Sequence, residues 1–132
     1  MNYSLTLQKY NLKATPQRVE IVNILYKNGH LSIDDLYKSL LKKFPSLSLA
    51  TVYKNIKIMC DKLFLQEVKI PHKKNVYEVS KAEHSHLVCS KCSSIIDIQL
   101  DISKILEQAK SISNYKLDES SIVLSGICPK CA

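Results

Sequence analysis

Two Cys-x-x-Cys pairs, Cys89-Ser90-Lys91-Cys92 and Cys128-Pro129-Lys130-Cys131, constrain this chain more than any other feature. Each tight turn brings two thiolates to one point, and four thiolates complete a tetrahedral zinc site with no open position. The pairs stand about 35 residues apart, farther than the knuckles of a free-standing zinc ribbon, so the expected ion pins the chain's end to the rest of a domain. A redox dithiol is the competing use, but no thioredoxin-like pattern accompanies either pair. A reducing compartment makes disulfides poor candidates for these cysteines and metal ligands better ones. The segment Met1 to Lys9 lacks the charged, apolar and small-residue zones of a signal peptide, and no apolar run approaches the ~18 residues of a membrane span. The expected location is therefore cytoplasmic, with no membrane partner. Cys60, the fifth cysteine, falls on an apolar helical stripe and reads as core.

A chain of 132 residues, 45% hydrophobic, is one large domain or two small ones, and it is too apolar to be disordered. Charge decides between these. Residues 1–80 carry 13 Lys+Arg against 6 Asp+Glu, whereas residues 81–132 carry 6 of each, so the whole excess of +7 belongs to the first part. A basic module, 1–80, followed by a neutral one, 81–132, points to nucleic acid or an acidic surface as the partner of the first.

Within the basic module, Thr15-Pro16 reads as a cap and first helical residue, with Val19, Val22, Leu25 and Tyr26 following at helical spacing until Asn28-Gly29. Ser32 caps a second helix with apolar positions Ile33, Leu36, Tyr37, Leu40, Leu41 and Phe44, ended by Pro45. Ser48 caps a third, whose buried stripe is Leu49, Val52, Ile56, Met59, Cys60 and Leu63, with Ile58 off the stripe. The opposite face holds Ala50, Thr51, Lys54, Lys57 and Asp61, with Tyr53 at its edge. Small side chains, a hydroxyl, an aromatic edge and lysines suit a major groove. Phe64 to Ile70 and Val76 to Val79 read as strands of a hairpin whose tip carries Lys73 and Lys74. Two short-linked helices followed by a hairpin make a winged helix-turn-helix.

The neutral module is α+β: an extended segment at Ile95 to Leu100, an amphipathic helix through Ile102, Ile105, Leu106 and Ala109, and one or two strands between Tyr115 and Ile127. A unit this small requires a metal staple, a second subunit, or both. Just before the first cysteine pair stands Glu83-His84-Ser85-His86, and alternation turns both imidazoles to one side. Asp97 on the following strand adds a carboxylate, and such an N/O-rich set suits iron, manganese or zinc.

The segments Lys13 to Arg18, Ser48 to Asn55, His84 to Cys92 and Cys128 to Cys131 together resemble the ferric uptake regulator family of bacterial metal-dependent repressors, over essentially the whole chain. The resemblance implies an N-terminal winged-helix DNA-binding domain, a C-terminal α/β dimerisation domain and a homodimer on an AT-rich palindrome. It places Tyr53 near thymine methyls, Lys54 in the groove, Lys13 in the minor groove and Arg18 on a phosphate. It also implies a regulatory site of His30, Glu78, His84, His86 and Asp97, drawn from both modules, so that an Fe(II) or Mn(II) ion sets the angle between DNA-reading heads. Where relatives carry a further metal site this chain has Glu83, Ser85, Lys104 and Ser120, so two ions per chain are expected, one structural Zn(II) and one regulatory.

Asp97 resembles the peroxide-sensing branch, in which bound Fe(II) reacts with hydrogen peroxide and a liganding imidazole is oxidised, His30 and His84 being the family-like targets. Glu78 resembles the iron-uptake branch. Peroxide sensing is the preferred reading and iron-uptake control the alternative. A zinc-uptake regulator fits less well, because no cysteine joins the regulatory set. Sacrificial oxidation is not turnover, so no enzyme is expected. A zinc-dependent deaminase would need a His-x-Glu motif that this chain lacks. A non-specific RNA-binding zinc module is the remaining contender.

Overall fold

The computed structural model describes residues 2–132, which divide into two compact units, 2–81 and Ala82–Ala132. In the first, Asn2 caps a short helix α1 (Tyr3–Lys9) by accepting the Leu5 N–H through Oδ1. Thr15 then caps α2 (Pro16–Asn28), with Pro16 in its first turn, and Gly29 ends it at a φ of 79°, a conformation a side chain would strain. Ser32 caps α3 (Ile33–Leu41) and Ser48 caps α4 (Leu49–Asp61), each hydroxyl accepting an N–H of the first turn. Strands β1 (Leu65–Val68) and β2 (Val76–Val79) pair antiparallel with Leu65 opposite Val79. This is a winged helix-turn-helix.

Its core joins every helix: Leu7 and Leu12 from the N-terminal segment, Ile21, Val22, Ile24 and Leu25 from α2, Ile33, Leu36 and Leu40 from α3, and Val52, Ile56 and Met59 from α4, closed by Phe64 and Leu65. Three sequence expectations are corrected here, and helix α1 stands where no element was expected. Tyr26 lies outside the buried stripe of α2 and stacks on Tyr3 instead, with ring centroids 5.6 Å apart. Helix α3 stops at Leu41 rather than at Pro45, because the chain tightens after Leu40, whose carbonyl accepts from both Lys43 and Phe44. On α4, Leu49 is exposed and Leu63, past the helix end at a φ of 63°, is 74% exposed, while Phe64 takes the core position. Ile58, off the expected stripe, is half-buried against the core.

The second unit is a three-stranded sheet in the order β4-β3-β5, from β3 (Ser85–Cys89), β4 (Ile95–Ile98) and β5 (Val123–Gly126), with α5 (Ser103–Ser113) between β4 and β5. Strand β4 is antiparallel and β5 parallel to the central β3. These two registers set up the chemistry: His86 lies opposite Asp97, and Cys89 opposite Gly126, two residues from Cys128. Tyr115 to Ile127 yields one strand.

Candidate metal centres and nucleic-acid interface

Parallel pairing of β5 with β3 brings the two cysteine pairs together at one end of the sheet. The four Sγ atoms of Cys89, Cys92, Cys128 and Cys131 all lie within 4.8 Å of one another, and Cys92 and Cys128 are 3.8 Å apart. A tetrahedral ion with Zn–S bonds of about 2.3 Å has edges of about 3.8 Å, so the sulfurs already stand at zinc-binding separation. The turns also prepare the charge. Cys89 accepts the backbone N–H groups of Cys92 and Cys128, each at 3.4 Å, and these donors hold its thiol down to about 5. Cys92 is lowered too, chiefly by the Ser94 hydroxyl beside it. Cys131 is pushed up to about 12 by the sulfurs around it, so its proton leaves only against a cation. The cluster fits structural zinc.

In the same unit His84 and His86 place their Nε2 atoms 3.0 Å apart, with the rings edge to face. Asp97 Oδ1 stands 3.6 Å from His84 Nε2 and 3.5 Å from His86 Nε2. The Ala82 carbonyl lies 2.9 Å from His84 Nδ1; when that nitrogen carries the proton, the Nε2 lone pair faces the cluster. Two nitrogens bound side by side to one octahedral ion at ~2.1 Å are about 3 Å apart, the spacing found here. The donor set fits a divalent ion.

The first unit holds a pair of metal-capable side chains of its own. An isolated bridge between Leu31 and Tyr77 ties the loop after α2 to β2, and it aligns their neighbours. His30 Nε2 lies 2.7 Å from Glu78 Oε2, and Gln66, opposite Glu78 in the hairpin, donates to the other carboxylate oxygen. Glu78 is buried. Gln66 was not singled out in the sequence, although the hairpin register alone places it across from Glu78. Glu83, the remaining residue of the family's further site, accepts from the Ser120 hydroxyl at 3.1 Å. Among the described residues it joins no cluster of three or more metal-binding side chains.

On the first unit Ala50, Thr51, Tyr53, Lys54 and Lys57 are exposed along α4, and Lys13 is exposed in the loop before α2. Lys57 pairs with Asp61 one turn on. The wing is less free than the sequence suggested, because Lys74 is bound to Asp34 at the start of α3. Arg18 is not a simple surface cation either: Nε donates to Asn55 Oδ1 at 3.0 Å and Nη1 to the Lys13 carbonyl at 3.1 Å.

With this geometry in view, the comparison that decides the family is a match of the ferric uptake regulator family model to residues 9–125. The chain belongs to the ferric uptake regulator family. It is 32% identical over 131 residues to the ferric uptake regulation protein of Synechococcus elongatus, covering 95% of this chain and 89% of that one. It is 27% identical over 129 residues to the peroxide operon regulator of Bacillus subtilis, covering 96% and 89%. Among solved structures, the Campylobacter jejuni peroxide stress regulator aligns at 34% identity and a TM-score of 0.73, covering 99% of this chain and all of that one. The Vibrio cholerae ferric uptake regulator aligns at 29% and 0.78, covering 96% and 100%. This Fur-family member is thus a metal-dependent regulator, with likenesses to peroxide and iron regulators of similar strength. No helix among its described residues is long and apolar enough to cross a membrane.

Proposed function

We propose that this Fur-family protein is a repressor that binds operator DNA as a homodimer and responds to hydrogen peroxide. The carrying observation is Asp97: a short carboxylate, opposite His86 across the sheet, with the Nε2 atoms of both His84 and His86 turned to it. His30 and Glu78 of the winged-helix unit supply the remaining ligands of the regulatory ion, so that ion occupancy and DNA-reading geometry are linked. Fe(II) or Mn(II) occupies this N/O site and Zn(II) the four cysteines.

Ferrous iron held by His84, His86 and Asp97 would supply the electrons that reduce peroxide next to a liganding imidazole. In the net reaction, one peroxide oxygen inserts into a ring C–H of His84 or His30, and the other leaves as water. The modified ring is a poorer ligand, which loosens the site and releases the DNA. The protein is consumed by this step, so it acts as a sensor rather than an enzyme.

For DNA, the reading face of α4 with Lys13 and Arg18 supplies groove and phosphate contacts, and Lys73 and Lys74 of the wing add backbone contacts. Equal affinity for random RNA and for an AT-rich inverted repeat, without metal dependence, would sink this assignment. For peroxide, the test is to load the protein with Fe(II), add micromolar peroxide, and weigh the peptides holding His30 and His84. One added oxygen with loss of DNA binding is expected. Unmodified peptides with DNA binding intact favour iron-uptake control, the reading to which the buried Glu78 carboxylate on His30 lends weight.

A further inference from the structure

We infer that Asn55 is a positioning residue that fixes the Arg18 guanidinium for a phosphate, and is not itself a reader of bases; this rests on the DNA-binding proposal above. By position Asn55 looks like a base reader. It lies on α4 one turn beyond Thr51 and next to Lys54, and an asparagine in a major groove ordinarily makes a bidentate contact with adenine. That contact needs the side-chain carbonyl as well as the amide. Here Asn55 Oδ1 already accepts from Arg18 Nε at 3.0 Å and the side chain is half-buried, so the amide is held in the plane that serves the guanidinium and is not free to turn onto a base edge.

The bond closes a knot between two helices. Arg18 Nη1 donates to the Lys13 carbonyl at 3.1 Å, and the Thr15 N–H donates to that same carbonyl at 3.0 Å. Thr15 Oγ1 in turn accepts the Arg18 N–H and caps α2. The loop carrying Lys13, the start of α2 and the reading helix α4 are therefore fastened through one guanidinium. Arginine suits this role because its rigid planar fork fixes the directions of its remaining N–H groups once two are engaged, and those are left for an anion. A flexible lysine at this position offers no such fork. Holding the guanidinium in one rotamer before DNA arrives removes an ordering cost from binding. Phosphate contacts fix register without carrying sequence information, so the benefit is the same on any sequence.

The bond can be read in the zinc-loaded full chain without DNA, from the nitrogen-15 signal of the Arg18 Nε–H. We expect a slowly exchanging signal in the native protein, its loss in Asn55→Ala, and its retention in Asn55→Asp, which keeps an acceptor oxygen. Alanine is the better helix former, so the substitution does not weaken α4. Equilibrium binding to an AT-rich inverted-repeat duplex in Mn(II), and to the same duplex with base pairs exchanged one at a time, then tests the consequence. Asn55→Ala should lose about tenfold in affinity on every duplex with base preferences kept. Arg18→Lys should lose a similar factor, and the double variant no more than either alone. An Arg18 signal unchanged in Asn55→Ala overturns the inference, as does a loss confined to one base pair, which would make Asn55 an adenine reader. A protected signal in a protein that binds no duplex would remove the DNA-binding proposal, and the positioning role with it, while the bond itself stood.

Discussion

Cys60 and Cys89 carry the same thiol, and their surroundings drive it in opposite directions. At Cys89 two backbone N–H groups stabilise the thiolate, whereas at Cys60 burial disfavours it and the Glu67 and Asp61 carboxylates add repulsion, raising the thiol to about 11. Zinc shields the other four cysteines, which leaves Cys60 as the test. Its alkylation rate in zinc-loaded protein should rise about tenfold per pH unit with a midpoint near 11, against about 8.5 for a free thiol. Because the folded-state value is raised, Cys60's contribution to stability is intact below the ordinary thiol range and is lost as pH climbs toward 11. A midpoint near 8.5 would show an open thiol. Cys89→Ser, by contrast, should abolish zinc binding and unfold the second unit, since structural zinc is worth on the order of 10 kcal/mol; a circular dichroism spectrum that keeps the sheet would contradict this. Both roles were legible in the sequence, one from a four-residue spacing and the other from helical period. The Arg18–Asn55 bond was not, because it joins residues on two helices whose approach depends on the whole core.

At the scale of elements, what the sequence revealed depended on how many sides of a segment are covered. Caps were plain: Thr15, Ser32 and Ser48 all accept first-turn N–H groups as their spacing implied. Helix α1 was obscure because seven residues give less than two full periods. The α2 stripe was blurred because that helix packs against α1, α3 and β2, so a wide arc is buried. The end of α4 misled for a local reason. Leu63 continues the helical period, but the chain turns through a left-handed residue there and swings Phe64 inward, where Tyr10 packs edge-on against it with ring centroids 5.0 Å apart. Equilibrium unfolding should separate the two positions clearly. Phe64→Ala should cost about 3–5 kcal/mol, whereas Leu63→Ala should stay within ~0.5 kcal/mol. Equal losses would return Leu63 to the core.

At the scale of the whole molecule, the two units differ in what they bury. The winged-helix unit buries a core built from all four of its helices, while α5 of the neutral unit buries none of its residues. Ile105, Ile112, Tyr115, Leu124 and Ile127 all stand open, Ile112 at 77% exposure. The register of the sheet sharpens the point, because Leu87, Ile96 and Leu124 are cross-strand partners and so share one face. Ile96 and Leu124 on that face are about half exposed. An open apolar sheet face and an unburied amphipathic helix are costly in water unless something covers them, and in a regulator that binds operator DNA as a homodimer the cover is a second copy related by a two-fold axis. One lysine on such a face puts a buried charge from each copy into the subunit contact. Leu124→Lys should therefore sediment as a monomer at concentrations where the native chain is a dimer, and bind a palindromic duplex with far lower affinity. The substitution changes none of the four cysteines, so the monomer should keep its zinc; total metal in native protein supplied with Mn(II) should be two ions per chain, falling to one after mild chelation. A dimeric Leu124→Lys protein would move the subunit contact to another surface, and a third tightly held ion would restore the site at Glu83 that its serine and lysine neighbours argue against.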